Sequence, residues 1–226
     1  MNSALSLKIV TQKSSPAVTQ SLKSPHVSVI SLTKRAIDIL GSLIGLLILA
    51  LLFAPVAIAI KLDSPGPIFY SQTRHGVGGR PFKIVKFRSM VVNADALKAK
   101  IQNEANGLIF KNQQDPRITR VGRFLRKTSL DEIPQFWNVF KGEMSLVGTR
   151  PPTSDEVRHY NAKHWQRLNV KPGLTGEWQV HGRSSVTDFE DIVELDLRYQ
   201  RRWSPAYDLA LIFKTLYVVF AKVGAY

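Results

Sequence analysis

Residues 34–61 read KRAIDILGSLIGLLILALLFAPVAIAIK, and whether this run lies in a bilayer or in a protein core decides the fold. From Ala36 to Ile60 it carries a single charge, Asp38. As one straight helix those residues would rise about 37 Å, more than a hydrocarbon core of about 30 Å. The run is therefore read as a membrane segment. Its path is open on the residues alone. Lys34 and Arg35 flank one end and Lys61 the other, so the positive-inside rule orients it weakly. Pro55 removes a backbone donor and invites a bend. A bent span and a re-entrant helix that leaves by the leaflet it entered both fit.

Ahead of this run, residues 1–30 hold Ser, Thr, Pro and Lys, no acid and no sustained apolar period. A disordered basic tail is expected there, without the order of charge, apolar block and small residues that marks a secretory leader. Behind it, residues 63–226 are long enough for one domain with a core. Lys and Arg total 31 against 17 Asp and Glu, a net charge of +14. Such a balance points to anionic partners: nucleic acid, an acidic membrane or phosphorylated substrates. The chain has no cysteine, which excludes disulfides and thiolate metal sites. Of its five histidines, His159 and His164 fall on different helix faces, so no zinc site is expected.

After a turn at SPGP (64–67), IFYSQTR and PFKIVKFRSM carry β-branched and aromatic residues around HGVGGR and read as a hairpin. The glycines of that connection match no nucleotide fingerprint and are read as a turn. A short helix is expected over 94–102. EWQV at 177–180 has the look of a strand. TDFE at 187–190 reads as a capping box with Thr187 as N-cap, opening a helix to about Trp203. On that helix Asp196 sits amid the apolar face of Phe189, Ile192, Val193, Tyr199 and Trp203, so it needs a cation, either as an internal pair with an arginine or at a site. YDLALIFKTLYVVFAK (207–222) reads as an interfacial or core helix.

The chemistry concentrates in RITRVGRFLRKTSLDEIPQFWN (117–138). Arg117, Arg120, Arg123 and Arg126 repeat every three residues and lead directly into Asp131 and Glu132. SLDE alone is also a capping box, Ser129 with Glu132, which needs no chemistry. The two readings are compatible, because a helix N-terminus favours phosphate. A carboxylate can form a covalent phosphoryl intermediate, and a second one suits Mg²⁺, which binds through one or two carboxylates plus substrate phosphates. Arginines supply fork-shaped donors for phosphate oxygens.

Several stretches together resemble the bacterial sugar transferases, the monotopic phosphoglycosyl transferases that act on polyprenol phosphate. They are KRAIDIL, SPGPIFYSQTRHG, FKIVKFRSM, DPRITRVGRFLRKTSLDEIPQFWNVFKGEMSLVGTRPP, KPGLTGEWQVHGR and ELD. The resemblance implies a UDP-sugar donor whose sugar 1-phosphate passes to undecaprenyl phosphate with release of UMP. Asp131 is then the nucleophile and Glu132 holds Mg²⁺. Arg126 and Arg150 contact phosphate, and Lys86, Arg183 and Asp196 support the site. It also implies a re-entrant helix over 31–62 bent near Pro55, a catalytic domain on the cytoplasmic face of the bacterial inner membrane, and contact with anionic lipid. Where the family commonly has Pro-Arg-Pro, this chain reads Thr149, Arg150, Pro151, Pro152. The expected fold class is α+β, mainly α-helical with one β-hairpin, attached by the re-entrant helix and interfacial amphipathic helices. The rival reading is a membrane-tethered basic module for nucleic acid or acidic polymer. It offers no reading helix and no reason for Asp131 beside Glu132, so no nucleic-acid partner is expected. An aspartyl-phosphate hydrolase, with water as acceptor, is the third.

Overall fold

The structure, a computed structural model, describes residues 26–181 and 186–220. Most of the tail expected over 1–30 lies outside the described residues, but Val27–Ile30 forms one helical turn, α1, where irregular chain was expected. The apolar run is a single helix, α2 (Leu32–Asp63), capped by Ser31, whose hydroxyl accepts from the Lys34 amide, and continuous through Pro55. The hairpin follows as expected: β1 (Phe69–His75) pairs antiparallel with β2 (Pro81–Phe87), with Arg74 opposite Phe82 and Tyr70 opposite Lys86. Arg88 clamps the SPGP turn through the carbonyls of Ser64, Pro65 and Pro67. The remaining elements are short: α3 (Ala94–Leu97), α4 (Arg120–Lys127), a 3₁₀ helix (Leu130–Gln135) and α5 (Phe136–Lys141). Then come β3 (Ser145–Val147), α6 (Ser154–Arg158), α7 (Ala162–Trp165), β4 (Gly173–Thr175) and α8 (Glu177–Val180). Two longer helices close the described chain, α9 (Phe189–Arg202) and α10 (Pro205–Phe220). The α+β reading holds, with an added parallel pair, β3 and β4, that the sequence did not suggest.

Three local expectations are corrected. EWQV is the helix α8, because Glu177 is fully buried and its carboxylate is held by Arg198, Tyr207 and His181. Those tertiary contacts override the strand preference of Trp and Val. The helix α9 is capped by Asp188, which accepts from the Glu190 amide, rather than by Thr187. Ser129 caps nothing through its side chain; it sits in left-handed backbone (φ 58°) and turns the chain sharply into the 3₁₀ helix.

Helix α2 is apolar on both sides, yet one side is packed. At its start Lys34 Nζ donates to Asp208 Oδ2 (2.6 Å), Tyr199 and the Val147 carbonyl. One turn on, Asp38 Oδ1 accepts from Ser145 Oγ (2.8 Å) and the Leu146 amide (2.9 Å). These bonds satisfy two charges that would otherwise be expensive to bury. Gly41 and Gly45 follow on the same side, where a Cβ would run into Leu146 and Phe136 respectively. Their bare backbone lets β3 and α5 approach closely. At the far end Ile60 is buried with Phe87 and Leu125, and Asp63 Oδ2 accepts from the Val121 amide. Both ends of α2 are thus held by the same body. The opposite side exposes Leu40, Leu43, Leu47 and Leu51. The main core, beneath α2, gathers Ile84, Val139, Met144, Leu146, Val147 and Tyr199, and a second cluster places Ile192 and Val193 against Ile109.

Candidate active site

Between the hairpin, α4, the 3₁₀ helix and α8 lies a cavity of about 580 Å³. Side chains two apart on a strand share a face, which is why Ile84 and Lys86 of β2 both line it, joined from β1 by Arg74. Helix α4 contributes Arg123 and Arg126, three residues apart. In a 3₁₀ turn residues i and i+3 eclipse, and Glu132 and Gln135 accordingly reach the same wall. Asp131, one residue away, is 5% exposed and lies beside that wall rather than on it. A left-handed serine costs on the order of 1–3 kcal/mol of local strain, and here it is spent on aiming this acidic turn.

The electrostatics are uneven. Lys86 Nζ is 2.8 Å from Glu132 Oε1, with both side chains about a quarter exposed, so the pair itself contributes about 0–1 kcal/mol. Arg126 and Arg123 make no ion pair among the described residues. Arg150 lines the cavity while its fork grips Glu156 at 2.8 and 3.1 Å. Burial works against the Glu156 carboxylate, but the Arg150 guanidinium outweighs it and holds the group below its usual range. Arg74 donates to the Pro151 carbonyl (2.9 Å), and its Nε, buried, has no partner among the described residues. Burial, with the like charge of Arg150, pushes Arg74 down to about 10 against the opposing pull of Glu156 and Glu132, so it remains a cation at neutral pH.

Of the residues singled out in the sequence, Lys86, Arg126, Glu132 and Arg150 meet on the cavity wall with Asp131 adjoining. Asp196 does not line it: Arg167 Nε donates to Asp196 Oδ2 at 2.7 Å, in a pair with both side chains buried. Its internal-pair reading is the one the geometry favours. Arg183 lies outside the described residues. From the Arg ladder, Arg117 is taken by Asp115 (2.7 Å). Sequence reasoning missed Arg74, although alternation along β1 and the quoted QTR could have marked it, and missed Asn112, Trp178 and Gln179, which also line the cavity. No group of three or more His, Asp or Glu side chains able to hold a metal occurs among the described residues. A site of one or two carboxylates completed by substrate phosphate is a different donor set, and Glu132 beside Asp131 fits it.

A family model described as bacterial sugar transferase matches residues 29–222. The galactosyl transferase CpsE of Streptococcus agalactiae serotype III is 50% identical over 196 residues, 86% of this chain and 43% of that protein. The UDP-glucose:undecaprenyl-phosphate glucose-1-phosphate transferase of Escherichia coli K12 is 41% identical over 210 residues, 90% of this chain and 43% of its own length. The exopolysaccharide production protein ExoY of Sinorhizobium fredii is 39% identical over 202 residues, 86% of this chain and 88% of its own length. The chain thus spans under half of the first two relatives and most of ExoY. With the acidic turn, the surrounding cations and a match over nearly all the described residues, the chain belongs to the bacterial sugar transferase family.

Proposed function

We propose that this chain transfers a sugar 1-phosphate from a UDP-sugar to undecaprenyl phosphate at the cytoplasmic face of the bacterial inner membrane, initiating lipid-linked glycan or exopolysaccharide assembly. The observation that carries the reading is the convergence of Arg74, Lys86, Arg126 and Glu132 on one cavity beside the buried Asp131. Relatives whose names state the transfer of glucose 1-phosphate or galactose to a lipid carrier support it. In the first step an Asp131 carboxylate oxygen turns into the cavity and attacks the β-phosphorus. The bond from that phosphorus to the bridging oxygen breaks, and UMP leaves with the electron pair. In the second, a phosphate oxygen of undecaprenyl phosphate attacks the same phosphorus, freeing the carboxylate and forming the lipid diphosphate sugar. Arg74, Arg126 and Lys86 bind and orient the diphosphate oxygens, and their charge favours the crowded, anionic transition state. Glu132 would hold Mg²⁺, with Asp131 adjoining; such an ion neutralises phosphate charge and supports UMP departure.

The membrane position rests on α2. A segment that crosses a bilayer leaves its ends about 30 Å apart on opposite sides. Here Lys34 at one end and Asp63 at the other are bound by one body, which supports a helix that enters and leaves by the same leaflet. Its exposed leucines, together with Phe124, Trp137 and the outer side of α10 (Leu209, Phe213, Leu216), supply apolar surface for the interface. The net charge of +14 suits anionic lipid headgroups.

Detergent-solubilised protein given a UDP-sugar, Mg²⁺ and undecaprenyl phosphate should release UMP. Asp131→Asn should lower the rate by about 10³-fold or more, and donor without lipid should leave a phosphosugar mass on the Asp131 peptide. Unchanged turnover in the variant, or the adduct on another residue, overturns the mechanism. Full-rate UMP release without lipid would instead make the chain a hydrolase.

A further inference from the structure

Lys86 and Glu132 both line the cavity, and they hold each other, with Lys86 Nζ donating to Glu132 Oε1 at 2.8 Å. The carboxylate read above as the Mg²⁺ ligand thus already carries a cation of the chain itself. We propose that Lys86 is a placeholder on Glu132, yielding the carboxylate when its ammonium is drawn to the donor's phosphates, so that a divalent cation is admitted only together with the nucleotide. This rests on the transferase reading above and adds an order of assembly to it.

An ammonium and a divalent cation repel, and they do so most strongly at the short separation of two partners of one carboxylate. The pair is also of a kind that parts readily. Its side chains are 25% and 28% exposed, and an ion pair so open to water is held weakly. In Arg167 with Asp196 and Lys34 with Asp208 each side chain is 5% exposed or less, and parting such buried charges is costly. Lys86 is placed for the exchange as well. Its backbone is fixed in β2 opposite Tyr70, while the flexible stem and three rotatable donors of a lysine let the charge move from one oxygen to another. Arg123 and Arg126 line the same cavity, and Arg74 feels the charge of Glu132. Until an anion enters, these cations oppose a divalent ion at the acidic turn. A diphosphate neutralises them and offers Lys86 new acceptors, so one event both releases Glu132 and removes the repulsion.

The probe is Mn²⁺, titrated into the full chain in detergent and followed by electron paramagnetic resonance, first without nucleotide. Lys86→Met, which keeps the length and removes the charge, should tighten Mn²⁺ binding by about three- to tenfold. Lys86→Gln should do the same, so a folding defect in one variant leaves the other to decide. In a Glu132→Gln background neither change should tighten binding, because the carboxylate they release is gone. UDP, which has both phosphates and no sugar, should strengthen Mn²⁺ binding more in the wild type than in Lys86→Met, since only the wild type has a cation to release. Pairing of UDP with Mn²⁺ in solution is common to both proteins and cancels in that comparison. Turnover should respond in two directions, with kcat lower in Lys86→Met and half-maximal rate reached at less Mg²⁺. Unchanged or weaker Mn²⁺ binding in the neutral variants, tightening that survives Glu132→Gln, or equal help from UDP overturns the proposal. UMP release by the wild type separates the two readings: with turnover intact, any of those failures leaves the transferase standing. The expected Mn²⁺ changes without turnover keep the exchange and remove the transferase.

Discussion

Arg117 and Arg126 come from one basic run with a three-residue repeat, yet they end in opposite situations. Arg117 is buried, held by Asp115 at 2.7 Å, with its Nη1 on the Ala94 carbonyl. Arg126 stands on the cavity wall with no ion pair among the described residues. The same contrast runs through the molecule. Arg167 with Asp196 and Lys34 with Asp208 are ion pairs with almost no exposure, whereas Arg74, Arg123 and Arg126 face space. Charges already neutralised by the fold hold the architecture together, and charges left open await a ligand's charge. The two groups should therefore answer to mutation in different currencies, one in stability and the other in catalysis.

The sharpest break of that contrast is Asp196→Ala. Removing one partner of a fully buried pair strands Arg167 and should cost about 3–5 kcal/mol, read as a lower unfolding midpoint in denaturant. A variant with native stability but lost turnover would move Asp196 from the scaffold to the site. Next in size is Arg126→Ala. Loss of a charge-assisted bond to phosphate, about 1.5–3 kcal/mol, should lower kcat/KM by about 10–100-fold. Its stability should stay within about 0.5 kcal/mol of wild type, as for other substitutions away from packed contacts. If Arg126→Ala unfolds the protein instead, the division between tied and open cations fails.

Arg150 belongs to both groups, and pH should separate its roles. Its partner Glu156 has a folded-state pKa held below the usual 4.5 by that guanidinium, against the opposing effect of burial. A carboxylate lowered on folding contributes stability above its unfolded pKa and loses it as pH falls through the folded one. The wild type should therefore be more stable than Glu156→Gln at neutral pH, and the gap should close as pH drops below about 4.5. A gap that persists in acid would mean that Arg150 is held by something other than this charge.

How much of this was legible beforehand depends on range. Alternation and turn residues located β1 and β2, and apolar length located α2, because both signals lie within a few residues of the positions they describe. Asp131, Glu132 and Arg126 stood out as an acidic pair behind a basic ladder, Lys86 came only through the family motifs, and the fold brings the four together or side by side. What failed was set by distant partners. EWQV became a helix because Glu177 is claimed by Arg198 and Tyr207. Ser129 lost its capping role to a left-handed turn, and the carbonyls and carboxylates that occupy Arg117 and Arg150 cannot be told from free ones by spacing. Arg74 was quoted in a motif without a role, because only burial reveals that its Nε lacks a partner.

The smallest expected effect tests how the open cations are aimed. Thr119 Oγ1 accepts from the Gly122 amide (3.0 Å) at the start of α4, and Asp63 at the end of α2 accepts from the next free amide, Val121 (2.9 Å). Helix α2 therefore helps cap the short helix that carries Arg123 and Arg126 to the cavity. Thr119→Ala should cost about 1 kcal/mol of stability, with Thr119→Ser restoring most of it, since the hydroxyl is what caps. Because Asp63 still holds the neighbouring amide, α4 should keep its register and kcat/KM should change far less than in Arg126→Ala. If Thr119→Ala instead loses as much activity as Arg126→Ala at nearly native stability, the placement of α4 matters as much as its charge. In that case the joint between α2 and α4 links the long apolar helix to catalysis.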